Sequence, residues 1–128
     1  MSKTIKLCKG LDIKLQGAAE KKTTAVGLAS TYAVSPLDFE GIVPKMLVKV
    51  GDAVKAGTPL FFNKNNASVV FTSPVSGTVA AVVRGEKRRI LAVEIAADQT
   101  IAYEEFETLD VAKATRDQIV ELLLKSGL

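Results

Sequence analysis

The sequence predicts a mainly β domain, a small sheet folded over on itself, followed by one short α-helix. Three observations carry this. The segment Val48–Leu60 reads VKVGDAVKAGTPL, with Gly51–Asp52 and Gly57 at turn positions between the apolar beats Val48, Val50, Val54 and Leu60. A second turn-punctuated unit, SPVSGTV, follows at Ser73–Val79 and places Pro74 and Gly77 at its bend. After residue 114 the apolar spacing changes to that of a helix. Glycine supplies the positive φ that tight turns need, and an Asp side chain can hydrogen-bond nearby backbone, so Gly51, Asp52, Gly57, Pro74 and Gly77 are read as structural turn residues.

Taken in order, residues 3–15 alternate at Ile5/Leu7 and Leu11/Ile13/Leu15, which predicts one or two strands broken at Gly10, with Cys8 a small half-buried strand residue. Residues 16–31 are rich in Ala, Gly, Thr and Lys without clear periodicity and read as loop or a short irregular strand. From Tyr32 to Met46, Pro36 and Pro44 punctuate short extended pieces, because proline withholds an N–H and disfavours helix around it. Residues 46–83 form the barrel-like core, with a hairpin tip expected near Asn65–Asn66, since Asn accepts left-handed backbone cheaply. Arg84–Arg89 make a turn, and Ile90–Ala96 return as a strand with Ile90, Ala92 and Glu94 on one side and Leu91, Val93 and Ile95 on the other. Residues 98–114, with Asp98, Glu104, Glu105, Glu107 and Asp110, read as an acidic connector.

The helix is predicted over 115–126 by its ends as well as its face. Thr115–Arg116–Asp117–Gln118 has the capping-box form, Asp117 suits the helix amino terminus, and Lys125 suits its carboxy terminus. Gly127 is placed to end it in left-handed backbone. Ile119, Leu122 and Leu123 share one face, broadened by Val120 and Leu124. So short a helix is not stable alone in water and must be held by burial. Either this face packs on the barrel or it meets sequence beyond the chain; the latter is the expectation, so that residues 1–97 form the barrel domain and 98–128 lead into a following domain.

Composition narrows the function classes. The 128 residues carry 17 Lys and Arg against 14 Asp and Glu, a net charge of +3, with no Trp and no His. Without histidine, His-based triads and proton shuttles are excluded within the chain, as are most zinc sites. A single cysteine excludes an internal disulfide and any CxxC metal or redox motif. Phosphate-cradling glycine motifs are absent, and so is the basic stripe with exposed aromatics that nucleic-acid binding would want. Met1–Lys6 lacks the apolar core of a signal peptide, and runs such as Val79–Val83 fall far short of the roughly 20 residues needed to cross a bilayer, so a soluble intracellular chain is expected. The cations cluster at Lys21–Lys22 and at Arg84, Lys87, Arg88 and Arg89; the latter reads as a solvated hairpin tip, with a partner-facing patch as the alternative.

The turn layout resembles the biotinyl/lipoyl-type flattened barrel, the barrel-sandwich hybrid, in which two hammerhead halves pack face to face. In biotin and lipoyl carriers the modified lysine occupies the tip of a hairpin between the halves. Here the intervening stretch is Phe61–Phe71, where Lys64 is offset from the expected tip and lacks the flanks of either carrier site, so no covalently bound cofactor is expected. Lys64 is the cofactor-binding residue only if the carrier alternative holds.

Over nearly its whole length the chain also resembles the amino-terminal region of the A subunit of the sodium-translocating NADH:quinone oxidoreductases. The resemblance rests on Asp38–Lys49 (DFEGIVPKMLVK), Phe71–Pro74, Arg84–Arg88 (RGEKR) and Thr115–Gln118, in order and at family-like spacing. It implies a peripheral subunit on the cytoplasmic side of the bacterial inner membrane, within a pump that passes electrons from NADH through flavins and an iron–sulfur centre to ubiquinone and exports sodium. The partners implied are the other pump subunits, the membrane-embedded ones included, and quinone as a further contact. Family members continue several times further than this chain. The C subunit of the ion-pumping ferredoxin:NAD complexes carries a similar barrel, but its iron–sulfur cysteine motifs are missing here. Three functions follow as expectations: a non-catalytic assembly and docking domain, inactive alone; a biotin or lipoyl carrier; and a free-standing binding protein using Arg84–Arg89. The partner surface is expected at Arg84, Lys87, Arg88 and Arg89 and at the helix face of Ile119, Leu122 and Leu123.

Overall fold

A computed structural model describes residues 16–128, and the strand pattern read over 3–15, Cys8 included, lies outside the described residues. Seven strands and one α-helix follow in chain order: β1 Thr31–Val34, β2 Pro44–Met46, β3 Ala53–Val54, β4 Pro59–Asn63, β5 Asn66–Thr72, β6 Gly77–Arg84, β7 Ile90–Ala97 and α1 Arg116–Ser126. All strand pairs are antiparallel and fall into two sheets, one ordered β1-β7-β6-β3 and the other β2-β4-β5. The fold is mainly β, with the expected carboxy-terminal helix.

The core lies between the sheets. Leu60 and Phe61 from β4 meet Val79 from β6 and Val93 and Ile95 from β7, all five fully buried, with Val54, Val75 and Ile90 completing the cluster. Neighbouring residues of a regular strand point to opposite faces, so Leu60 and Phe61 cannot both be buried in one core without a break. A register shift between Pro59 and Phe61 supplies it: Pro59 faces Thr72 and Phe61 faces Phe71, leaving Leu60 as the extra residue. The rings of Phe61 and Phe71 stack with centroids 4.9 Å apart, and Phe39 packs on the outer side of Phe71 at 4.5 Å.

A second bulge corrects the face assignment of the last strand. Arg84 pairs with Ile90 and Val83 with Ala92, so Leu91 is the extra residue and the alternation reverses across it. Ile90 therefore joins Val93 and Ile95 in the core rather than opposing them. Val50, read as an apolar beat, is 60% exposed, because it immediately precedes the Gly51 turn and leaves the sheet with it. Pro36 opens a 3-10 turn over Pro36–Asp38, capped by the Ser35 hydroxyl accepting from Leu37 N–H, where a plain extended piece was expected.

The turn units fold as local hydrogen-bond knots. The Asp52 carboxylate accepts from the Lys49 N–H at 2.8 Å, while Gly51 N–H donates to Val79 C=O and Val79 N–H donates to Asp52 C=O. Gly51 sits at φ 94° and Gly57 at φ 101°. Gly57 N–H donates to Ser73 C=O, and Ser73 N–H donates to Thr58 C=O, so the second unit is stitched to the first. Gly77 is required by proximity: a Cβ there would lie 1.9 Å from the Ala96 carbonyl oxygen.

The acidic segment after β7 is bound to the barrel rather than a free connector. Ala56 forms a parallel bridge with Tyr103, donating to Ala102 C=O and accepting from Glu104 N–H. Thr58 Oγ1 donates to Glu104 Oε1 at 2.8 Å, and Ile101 packs against the core. The helix begins with both halves of the capping box: Thr115 Oγ1 accepts from Gln118 N–H, and Gln118 Oε1 accepts from Thr115 N–H. Gly127 ends it at φ 83°.

Candidate functional site

The expected site residues fall in three places. The first is the β4–β5 hairpin. Asn63 pairs with Asn66, which makes Lys64–Asn65 the two-residue tip and corrects both the expected tip position and the offset of Lys64. Neither Asn65 nor Asn66 has a positive φ. The physical reason is the Asn63 side chain, whose Oδ1 accepts from the N–H groups of Asn65 and Val43 and so stabilises the bend without a left-handed residue. Lys64 N–H donates to Val43 C=O, which ties the tip to the chain entering β2. Lys64 is therefore an exposed lysine on a well-braced hairpin.

The second place is the β6–β7 hairpin, which carries Arg84, Lys87, Arg88 and Arg89, all exposed. Gly85 N–H donates to Arg89 C=O, and Arg89 N–H donates to Glu86 C=O, closing a turn whose two central residues are Lys87 and Arg88. Both are left-handed, at φ 52° and φ 61°. Arg84 Nη1 donates to Arg88 C=O, so one cation braces the turn that displays the others. Two grooves open beside this hairpin. One, of about 430 Å³, runs along Met46–Val50 with Val82 and Arg84; the other, of about 270 Å³, is bounded by Leu37, Phe39, Ile42, Pro44, Arg89 and Ile90. Spacing along the chain could not reveal these grooves, because each joins residues from separate strands.

The third place is α1. It lies on β5, with Leu124 and Lys125 beside Pro59, Ala67 and Val70, and Gly127 close against Thr72. Of the two seats open to the helix, the structure shows the barrel in place of the expected sequence beyond the chain. Ala67–Val69 have no partner in β4, and the helix packs beside them, a seat that the sequence does not announce. Ile119 and Leu122 are half-buried, whereas Leu123 stays 42% exposed. The three helix residues named from the sequence thus do not form one free face.

Buried polar chemistry is confined to structural roles. Ser73 and Ser76 are the buried polar residues among those described. Ser73 Oγ donates to Val75 C=O at 2.6 Å, and Ser76 Oγ accepts from Ala102 N–H at 2.9 Å. The Ser73 hydroxyl holds backbone at the bend around Pro74, and the Ser76 hydroxyl holds the backbone of the segment that follows β7. Among the described residues no group of three or more His, Cys, Asp or Glu side chains is placed to hold a metal, and no helix is long and apolar enough to cross a membrane.

Comparison with known proteins places this architecture. The family model described as the NqrA N-terminal barrel-sandwich hybrid domain matches residues 5–98. The A subunit of the Na(+)-translocating NADH-quinone reductase of Tolumonas auensis is 40% identical over 127 residues, an alignment covering 97% of this chain and 28% of that protein. The corresponding A subunits of Pseudomonas aeruginosa and Glaesserella parasuis are each 36% identical over 126 residues, with the same coverage. The chain therefore spans 28% of the length of these curated relatives.

Proposed function

Because the chain belongs to the family of NqrA N-terminal barrel-sandwich hybrid domains, we propose that it serves as a non-catalytic assembly and docking domain of the NqrA subunit in a sodium-translocating NADH:quinone reductase. The observation that carries this reading is the alignment with named A subunits over 97% of the chain. The barrel supports it physically, since its buried hydroxyls are spent on backbone hydrogen bonds and its charged side chains point outward. In this reading the domain binds no cofactor covalently, and NADH, flavin, iron–sulfur, ubiquinone and sodium are handled by the assembled complex. The protein lies peripherally on the cytoplasmic side of the membrane and contacts the other subunits, membrane-embedded ones among them.

The test is purification of the polypeptide containing this sequence from its host membranes, with intact mass measured on the product. An unmodified polypeptide co-purifying with NADH-oxidising, quinone-reducing activity is the expected result. Recovery of this sequence apart from any membrane redox complex would overturn it.

The position of Lys64 favours one second reading, that of a carrier. Its exposed ammonium group at the tip of a braced hairpin is placed as an acylated carrier lysine must be, although Asn63 and Asn65 flank it in place of the carrier residues. Co-expression with biotin ligase and with lipoyl ligase separates the two readings. An adduct on Lys64 supports the carrier, and a clean unmodified mass removes it.

A further inference from the structure

The β6–β7 hairpin combines two features that fold stability alone does not explain. Its turn places Lys87 and Arg88 in the left-handed backbone region, where Asn and Gly are the favourable residues. Strained backbone of this kind persists where the displayed side chains serve a purpose. The hairpin also gathers cations that enter no ion pair. Among the described residues, the ion pairs Lys22–Glu20, Lys55–Glu104, Lys113–Asp110 and Arg116–Asp117 lie elsewhere, and Arg84, Lys87, Arg88, Arg89 and nearby Lys49 enter none. Against these five cations stand Glu86 in the turn and Glu40 on the rim of the smaller groove.

Apolar side chains lie exposed in the grooves below the hairpin. Leu47 is 52% and Val50 60% exposed on the larger groove, and Leu37 and Phe39 are exposed on the smaller. Arg84 and Lys49 line the larger groove with Leu47 and Val50, and Arg89 lines the smaller with Leu37 and Phe39, so each cleft is complementary to a segment that carries both apolar and acidic side chains.

We propose that the β6–β7 hairpin and its flanking grooves are a docking surface for an acidic amphipathic polypeptide segment of a partner protein. This rests on the docking role proposed above and specifies its chemistry: carboxylates of the segment meet Arg84, Lys87, Arg88 and Arg89, and its apolar residues enter the cleft at Leu47 and Val50.

The test uses the full chain and a fluorescein-labelled helical peptide built from Glu and Leu, read by fluorescence anisotropy. Comparison probes are a Glu/Ser peptide and vesicles of phosphatidylglycerol. The Glu/Leu peptide is expected to bind more tightly than the Glu/Ser peptide, and its affinity should fall with added salt. Lys87→Asn with Arg88→Gly should weaken binding about tenfold, as removal of two charge contacts predicts. Because these replacements suit left-handed backbone, a loss in that variant is not a loss of fold. Leu47→Ser with Val50→Ser should weaken binding by a comparable factor, with the thermal melt as the check on folding. Equal affinity for the two peptides, binding that survives either variant, or binding to vesicles in place of peptide overturns the proposal. If the whole NqrA protein carrying the hairpin variant still co-purifies with the redox complex, the docking role stands and this assignment of its surface falls.

Discussion

Replacing Gly77 by alanine is expected to damage the barrel far more than the same change at Gly51, although both glycines mark turns in the sequence. At Gly51 a Cβ meets nothing within 4 Å, so the cost is that of an alanine held at φ 94°, about 1–2 kcal/mol. At Gly77 the Cβ would sit 1.9 Å from the Ala96 carbonyl oxygen, and backbone must move by about 1 Å to relieve it. Ala96 pairs with Thr78 on one side and Thr31 on the other, so the displacement disturbs two strand pairs at once. Losing two ladder hydrogen bonds costs roughly 1–3 kcal/mol. Partial exposure of the adjacent, fully buried Val79 and Ile95 adds about 1–2 kcal/mol. The sum, about 2–5 kcal/mol, is a large share of the stability of a small domain. Urea unfolding followed by far-ultraviolet circular dichroism measures both variants against the parent chain. A Gly77→Ala variant within about 1 kcal/mol of Gly51→Ala would refute the close-contact argument, since the clash is what distinguishes the two positions.

Three further outcomes follow from the same structure. Lys87→Asn with Arg88→Gly should raise stability by about 1–2 kcal/mol in the urea assay, because both positions are left-handed; an unchanged or lower value contradicts the turn geometry. Ser76→Ala should cost about 1–3 kcal/mol by leaving the Ala102 N–H without its acceptor, and amide hydrogen exchange should show protection lost at Ala102 first. Phe61→Ala should cost about 3–5 kcal/mol, as it empties the centre of the core beneath Phe71; a loss under 1 kcal/mol in thermal unfolding would place the core elsewhere.

The chain's own residues determine its class and its turns, because these depend on local chemistry. Gly51, Asp52 and Gly57 bend the chain through φ sign and a side-chain hydrogen bond formed within three residues. The capping box at Thr115–Gln118 and the Gly127 terminus are equally local, which is why the helix is legible to within a residue of Arg116–Ser126. Even the family is legible, because several separated motifs preserve their order and spacing.

Long-range structure decides what periodicity cannot. Bulges at Leu60 and Leu91 place Leu60 beside Phe61 and Ile90 with Val93 and Ile95 in the core, and each depends on a register fixed by a partner strand. The hairpin tip moves to Lys64–Asn65 because Asn63 finds Val43, a residue twenty positions earlier. The helix settles on β5 beside Pro59, Ala67 and Val70, and the acidic segment is held by Ala56, Thr58 and Ser76 from the barrel. Local φ preferences and caps act over a few residues, so a single sequence displays them directly. Strand register and surface relief arise only when distant residues meet, and here those meetings set the core, the lysine tip and the cationic hairpin with its grooves.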